Sequence, residues 1–153
     1  MKTLKAPGVA HGDLQILQTF YAAFTENQPD LLDDVVTPDW EDLPLGPGQR
    51  PGPDGLKPII RAFVAAFPDL RIQVEDVIGA PGRLGVRARI TGTHRGDFFG
   101  IAATDKPISI AIHEFHDIED GRIKRTWHLE DWFGMLQQLG AWPPARSLHP
   151  EGA

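Results

Sequence analysis

Two long runs of alternating apolar residues meet at Asp120-Gly121, and this junction constrains the fold more than any other part of the chain. An Asp-Gly pair suits a two-residue hairpin turn, because both central positions of that turn take a positive φ. Pro107 to Ile118 and Arg122 to Asp131 therefore read as antiparallel partners. Upstream, Arg71 to Ile78 alternates and stops at Gly79-Ala80-Pro81-Gly82. Leu84, Val86, Ala88 and Ile90 then alternate with Gly85, Arg87, Arg89 and Thr91 in a further strand.

The first half has a different period. Leu14, Leu17, Phe20, Tyr21 and Phe24 recur at helical spacing and stop before Pro29. A short acidic helix is expected from Asp30 to Val36, ending near Pro38. The stretch from Leu43 to Pro53 carries four prolines and three glycines, and regular structure is excluded there. Asp54 can cap a following helix in which Leu56, Ile59, Ile60, Phe63 and Phe67 share a face, and Pro68 ends it. Helices first and antiparallel strands afterwards indicate an α+β fold, a curved sheet with helices against one face.

The hairpin predicts a register. If Ile118 opposes Ile123, then His116 opposes Arg125, Glu114 opposes Trp127, Ile112 opposes Leu129 and Ile110 opposes Asp131. That face holds most of the large apolar residues, so it is expected to face the helices and any cavity. The other face would hold His113 opposite His128. A slip of one residue would exchange the faces of one strand.

Composition narrows the function. At 153 residues the chain is expected to be one domain, residues 1–153 with a core of about 13–143, large enough to bury a core without staples. It has no cysteine, which removes thiolate nucleophiles and cysteine metal sites. The formal charge is -6 and no basic stripe is present, so no nucleic-acid partner is expected. Arg83, Arg87, Arg89 and Arg95 read as basic residues on one strand face, with a substrate-facing arginine the alternative. No segment reaches the roughly 20 apolar residues of a membrane helix, and Met1 to Gly8 lacks the apolar run of a signal peptide. The expectation is a cytoplasmic protein without a membrane partner.

Asp131 is the foremost chemical candidate. On the register above it lies inward beyond Trp127 and Leu129, where desolvation would tune a carboxylate for proton transfer. It also stands where an N-cap belongs, before a short helix at Trp132 to Leu139. Both readings stand, and they are compatible. His94 sits near a strand end before the Gly96 to Gly100 loop. Glu114 points inward in this register and would need a partner, with His116 or Arg125 beside it. The six histidines, His149 included, show no HxxxH or HExxH spacing, so no metal is expected. Ser109 and Ser147 are the only serines, without a nucleophile elbow.

The stretches Ala65-Ala66-Phe67-Pro68-Asp69-Leu70-Arg71, Gly92 to Ile101, Glu119-Asp120-Gly121-Arg122-Ile123, Trp127 to Asp131 and Gln137-Gln138-Leu139-Gly140 together resemble the SnoaL-like polyketide cyclase, or ester cyclase, family of the NTF2-like superfamily. The resemblance implies an α+β cone with an apolar pocket inside, and a homodimer or homotetramer. It implies a hydrophobic small-molecule substrate and intramolecular aldol ring closure of a polyketide ester, without metal or cofactor. An aspartate matching Asp131 is the acid/base of such enzymes, with His94 and Trp127 as oxyanion candidates here. Trp127, Glu114, His116, Trp40 and Phe63 are the expected substrate-binding residues. The chain departs from the family at Trp40-Glu41-Asp42-Leu43-Pro44, at Ala102-Ala103-Thr104-Asp105 and at Arg125. A non-catalytic ligand-binding module and a hydrolase or hydroxylase in the same pocket are the alternatives.

Overall fold

The computed structural model describes residues 6–142; His149 and Ser147 lie outside them. Helix α1 (His11–Thr25) is followed by a 3-10 turn at Pro29–Leu31, α2 (Leu32–Val35), strand β1 (Val36–Leu43) and helix α3 (Pro53–Ala66). Four strands and a last helix complete the fold: β2 (Arg71–Ala80), β3 (Arg83–Thr93), β4 (Pro107–Glu119), β5 (Arg122–Glu130) and α4 (Trp132–Gln138). The sheet order is β1-β5-β4-β3-β2. The α+β expectation holds, and no helix among these residues is long and apolar enough to cross a membrane.

The periodicities explain the layers. From α1, Leu17, Phe20 and Tyr21 are buried, and from α3, Leu56, Ile60 and Phe63. They meet the inward row Ile90, Ile108, Ile110, Ile112 and Ile123, all at most 4% exposed. Each such side chain contributes about 1.5–3 kcal/mol of burial.

β1 was not expected. The sequence suggests helix down to Val36, yet a strand starts there and runs parallel to β5, pairing Asp42 with Thr126 and Leu43 with Trp127. Pro38 is tolerated because β1 lies at the sheet edge, where a missing N–H breaks no ladder bond on the open side. Helix α3 begins at Pro53 with Gly52 as its N-cap, so Asp54 sits in the first turn and pairs with Lys57 instead of capping. Gly55 packs so closely on the preceding loop that a Cβ would stand 1.6 Å from the Arg50 carbonyl oxygen. A side chain at this position would clash with the Arg50 backbone, so the close approach of α3 to that loop requires glycine.

The β4–β5 hairpin corrects the predicted register. Ile118 does oppose Ile123, but a bulge follows, and Asp117 pairs with Arg125, leaving Lys124 unopposed. From there on His116 opposes Thr126, Glu114 opposes His128 and Ile112 opposes Glu130. One extra residue exchanges the faces of β5. Thr126, His128 and Glu130 turn toward the helices, while Trp127 and Leu129 turn away from them. Trp127 lies on the outer face beneath the guanidinium groups of Arg83 and Arg125, at 5.9 and 5.4 Å from its ring centroid. Arg87 and Arg89 share that outer face and pair with Glu75.

Candidate active site

Between α1, α3 and the inward face of the sheet lies a cavity of about 490 Å³. Its lining is mainly apolar, with Phe20 and Phe24 from α1, Phe63 from α3, and Ile90 and Ile112 from the sheet. The Pro44–Gln49 segment, Phe98, Phe99 and Trp132 complete the wall. Six polar or ionisable residues interrupt it: Tyr21, Asp42, Gln49, Glu114, His128 and Glu130. They form two clusters.

The deeper cluster is built on Glu114, which is 6% exposed. The Tyr21 hydroxyl donates to Glu114 Oε2, and His116 Nε2 lies 3.3 Å from the same oxygen. Behind them, His116 Nδ1 is 2.9 Å from Thr126 Oγ1, which also accepts from the Trp40 indole N–H at 3.0 Å. Trp40, Thr126 and His116 thus brace the carboxylate from the rear. Oε1 takes no hydrogen bond among the described residues and is not sealed off, so it is the oxygen Glu114 presents to the cavity. Burial, and then the neighbouring Glu114 carboxylate, raise the Tyr21 pKa well above that of a free phenol. Tyr21 therefore stays a neutral donor.

The second cluster joins β1 to β5. His128 Nδ1 donates to Glu130 Oε1 at 2.8 Å, while Nε2 lies 2.9 Å from the Pro44 carbonyl oxygen and 3.2 Å from Asp42 Oδ1. Carbonyl and carboxylate oxygens only accept, so both ring nitrogens carry hydrogen and His128 is an imidazolium. Burial opposes that charge, but the bonds to Asp42 and Glu130 outweigh it and push the pKa up to about 11. Gln49 Nε2 donates to Asp42 Oδ2 at 2.6 Å, and Gln49 Oε1 accepts from Gly46 N at 2.9 Å. This cluster pins the Pro44–Gln49 segment over the cavity. With both nitrogens protonated, His128 has no lone pair for a metal. Among the described residues no group of three His, Cys, Asp or Glu side chains is arranged to hold one.

Of the sequence candidates, Glu114 and Phe63 line the cavity, and His116 and Trp40 stand in the row behind Glu114. Asp131 does not face the cavity as the predicted register required. It is exposed, and its Oδ1 accepts from Gly134 N at 2.9 Å as the N-cap of α4. The β5 bulge that turns Trp127 outward gives the reason. His94 is fully buried outside the cavity lining, stacked on Phe67 at 5.3 Å. Thr104 N donates to its Nδ1 at 3.3 Å, so His94 fastens the β3–β4 connection. Sequence reasoning missed Tyr21, Asp42, Gln49, His128 and Glu130 as site members. The available signals were Asp42 directly after the Trp40-Glu41 departure and His128 on the face that a one-residue slip exposes.

Helices packed on a curved five-stranded sheet around an apolar cavity form the NTF2-like arrangement. The family model for SnoaL-like polyketide cyclases matches residues 15–139, and the chain belongs to that family. Among solved structures it is similar to TsrD from Streptomyces laurentii, with 26% identity, a TM-score of 0.80, and coverage of 87% of this chain and 98% of that one. It is also similar to a candidate polyketide cyclase from Bacillus cereus, with 27% identity, a TM-score of 0.75, and coverage of 92% and 96%. A 130-residue stretch, 81% of this chain, is 29% identical to 5-methylthioadenosine/S-adenosylhomocysteine deaminase from Halobacterium salinarum. It spans only 30% of that protein.

Proposed function

We propose that this protein is a cyclase-type enzyme in which Glu114 is the acid/base, acting on a hydrophobic carbonyl compound. The observation that carries the reading is the division of labour within one carboxylate. Oε2 is held by Tyr21 and His116, and Oε1 is left open to an apolar cavity. Such a carboxylate is fixed in position, shielded from bulk water and free to take a proton.

In the proposed reaction Oε1 removes a proton from the carbon alpha to a carbonyl; the electron pair of that C–H bond forms the C=C bond of an enolate, and the C=O π pair moves onto the carbonyl oxygen. The enolate carbon then forms a bond to a second carbonyl of the same molecule. The resulting alkoxide takes the proton back from Glu114, so the proton balance closes inside the cavity. Gln49 Nε2 uses one hydrogen on Asp42; its second is the neutral donor proposed for the enolate oxygen. His128 spends both N–H groups on protein acceptors and is assigned to holding the cavity wall. In this scheme the base is Glu114, and Asp131 contributes the α4 cap.

The test is exchange of the C2 hydrogens of 1-tetralone in D2O, followed by proton NMR. Wild-type protein is expected to exceed the buffer rate, and Glu114→Gln to lose about 100-fold or more of that excess. Exchange in Glu114→Gln at the wild-type rate removes Glu114 from the mechanism. No exchange above buffer with the wild type removes acid/base chemistry on this ketone class.

A further inference from the structure

Among the described residues four non-glycine positions have positive φ: Asn27, Phe99, Asp105 and Asp120. Three are Asn or Asp, whose short polar side chains tolerate the left-handed region. Phe99, at φ +50, is the exception, since bulky side chains rarely adopt that conformation. It occupies the tip of a two-residue hairpin closed by Phe98 N to Ile101 O at 3.0 Å and Ile101 N to Phe98 O at 2.9 Å. Gly100 follows at φ +73. Positive φ at both central residues is the type I′ arrangement, in which Asn-Gly is the favoured pair. Nothing in the turn itself calls for phenylalanine.

The ring position supplies the reason. Phe99 is 56% exposed, yet it lines the cavity. Its ring meets Trp132 edge-on, at 5.3 Å between centroids and an interplanar angle of 87°. Behind it Phe98 stacks on Phe63 at 5.1 Å. Leu45 and Ile59 are also both cavity-lining and exposed, so they share the rim with Phe99, but they are aliphatic. The Phe99 ring also packs against Phe98, at 4.4 Å between centroids and 42° between planes, and among the exposed cavity-lining residues it is the aromatic one.

We propose that Phe99 is a specificity-determining residue, which holds its ring at the cavity rim against the preference of its backbone to select planar unsaturated ligands over saturated ones of similar size. This rests on the cavity being the ligand site, as in the functional reading above, and is independent of Glu114 acting as base.

The experiment combines thermal unfolding with equilibrium dialysis of two neutral ketones, 9-fluorenone and dicyclohexyl ketone. Phe99→Asn is expected to raise Tm by about 2–4 °C through relief of the turn. It is also expected to shift the ratio of the two affinities about 2- to 10-fold toward the saturated ketone through loss of the aromatic contact. Phe99→Gly repeats the test with a second turn-compatible residue, and Phe99→Tyr keeps the wild-type ratio. Phe133, 54% exposed and outside the cavity lining, is the control; Phe133→Asn leaves the ratio unchanged. The ratio is a binding measurement on protein with Glu114 intact, and exchange by Glu114→Gln is read separately, which separates failure of this proposal from failure of the catalytic one. The proposal is overturned by an unaltered ratio in Phe99→Asn, or by the same shift in Phe133→Asn. A drop in Tm would make the ring a packing element, and absence of saturable fluorenone binding to the wild type would remove the site.

Discussion

Replacing Asp131 separates its two candidate roles, because Asn keeps the cap and removes the charge. The carboxylate accepts one hydrogen bond, from Gly134 N at 2.9 Å, and that bond anchors the first turn of a seven-residue helix. α4 carries Met135, fully buried, and Leu139, 3% exposed, into the core, and it positions Trp132 at the cavity wall. Asp131→Ala removes the cap and is expected to cost about 1 kcal/mol, which lowers Tm by about 2–4 °C for a chain of this size. Asp131→Asn restores the acceptor and loses only the attraction of a negative charge for the helix N-terminus, about 0.3–1 kcal/mol. Both variants are read by thermal unfolding and by 1-tetralone exchange. The geometry predicts that Asp131→Asn exchanges within about twofold of wild type, since no step is routed through this group, whereas a lost general base removes about 100-fold or more. If Asp131→Asn keeps its Tm but loses exchange on that larger scale, Asp131 is the acid/base and the assignment to Glu114 is wrong.

Tyr21 is the only tyrosine in the chain, so absorbance at 295 nm follows its ionisation alone. With its pKa raised above 10.0, phenolate is expected to appear only as the protein unfolds in alkali, and Glu114→Gln should bring ionisation to lower pH. A wild-type midpoint at 10 would refute the buried Tyr21–Glu114 bond. His128 gives a second pH signature. Its folded pKa of about 11 lies above the ordinary 6.5, so its contribution to stability is complete below pH 6.5 and is lost as the pH rises toward 11. The urea midpoint of the wild type should fall across that interval, and His128→Gln should flatten the decline. Equal slopes in the two proteins would count against the charged cluster.

The fold was legible where a local pattern and the tertiary environment agreed. Leu17, Phe20 and Tyr21 repeat at helical spacing and are buried on one face of α1, and Ile108, Ile110 and Ile112 alternate and are buried on one face of β4. β1 was illegible because Val36 to Leu43 includes Pro38 and has little alternation; it becomes a strand by adding to the edge of β5. Trp127 and Leu129 misled for a related reason. They look like core residues by hydrophobicity, but the bulge places the polar set Thr126, His128 and Glu130 inside. Glu114, read as inward from the hairpin register, keeps its place although that register is wrong on β5, since its parity with Ile110 and Ile112 does not depend on the partner strand. Asp42, Gln49 and Tyr21 reach the cavity from three separate elements, and a linear pattern carries no signal of that convergence.

Lys124 makes the interior of β5 behave like text with a reading frame. Its ammonium pairs with Asp39 of β1, so the unopposed residue is tethered on the side away from β4. Point substitutions along β5 change one letter at a time, whereas removal of Lys124 would move the whole set. Trp127 and Leu129 would then face inward, and the His128 imidazolium, moving together with Glu130 of the same strand, would leave Asp42 of β1. Within this architecture, single-residue insertions and deletions at the hairpin are therefore a route by which a largely unchanged sheet can acquire a different cavity chemistry.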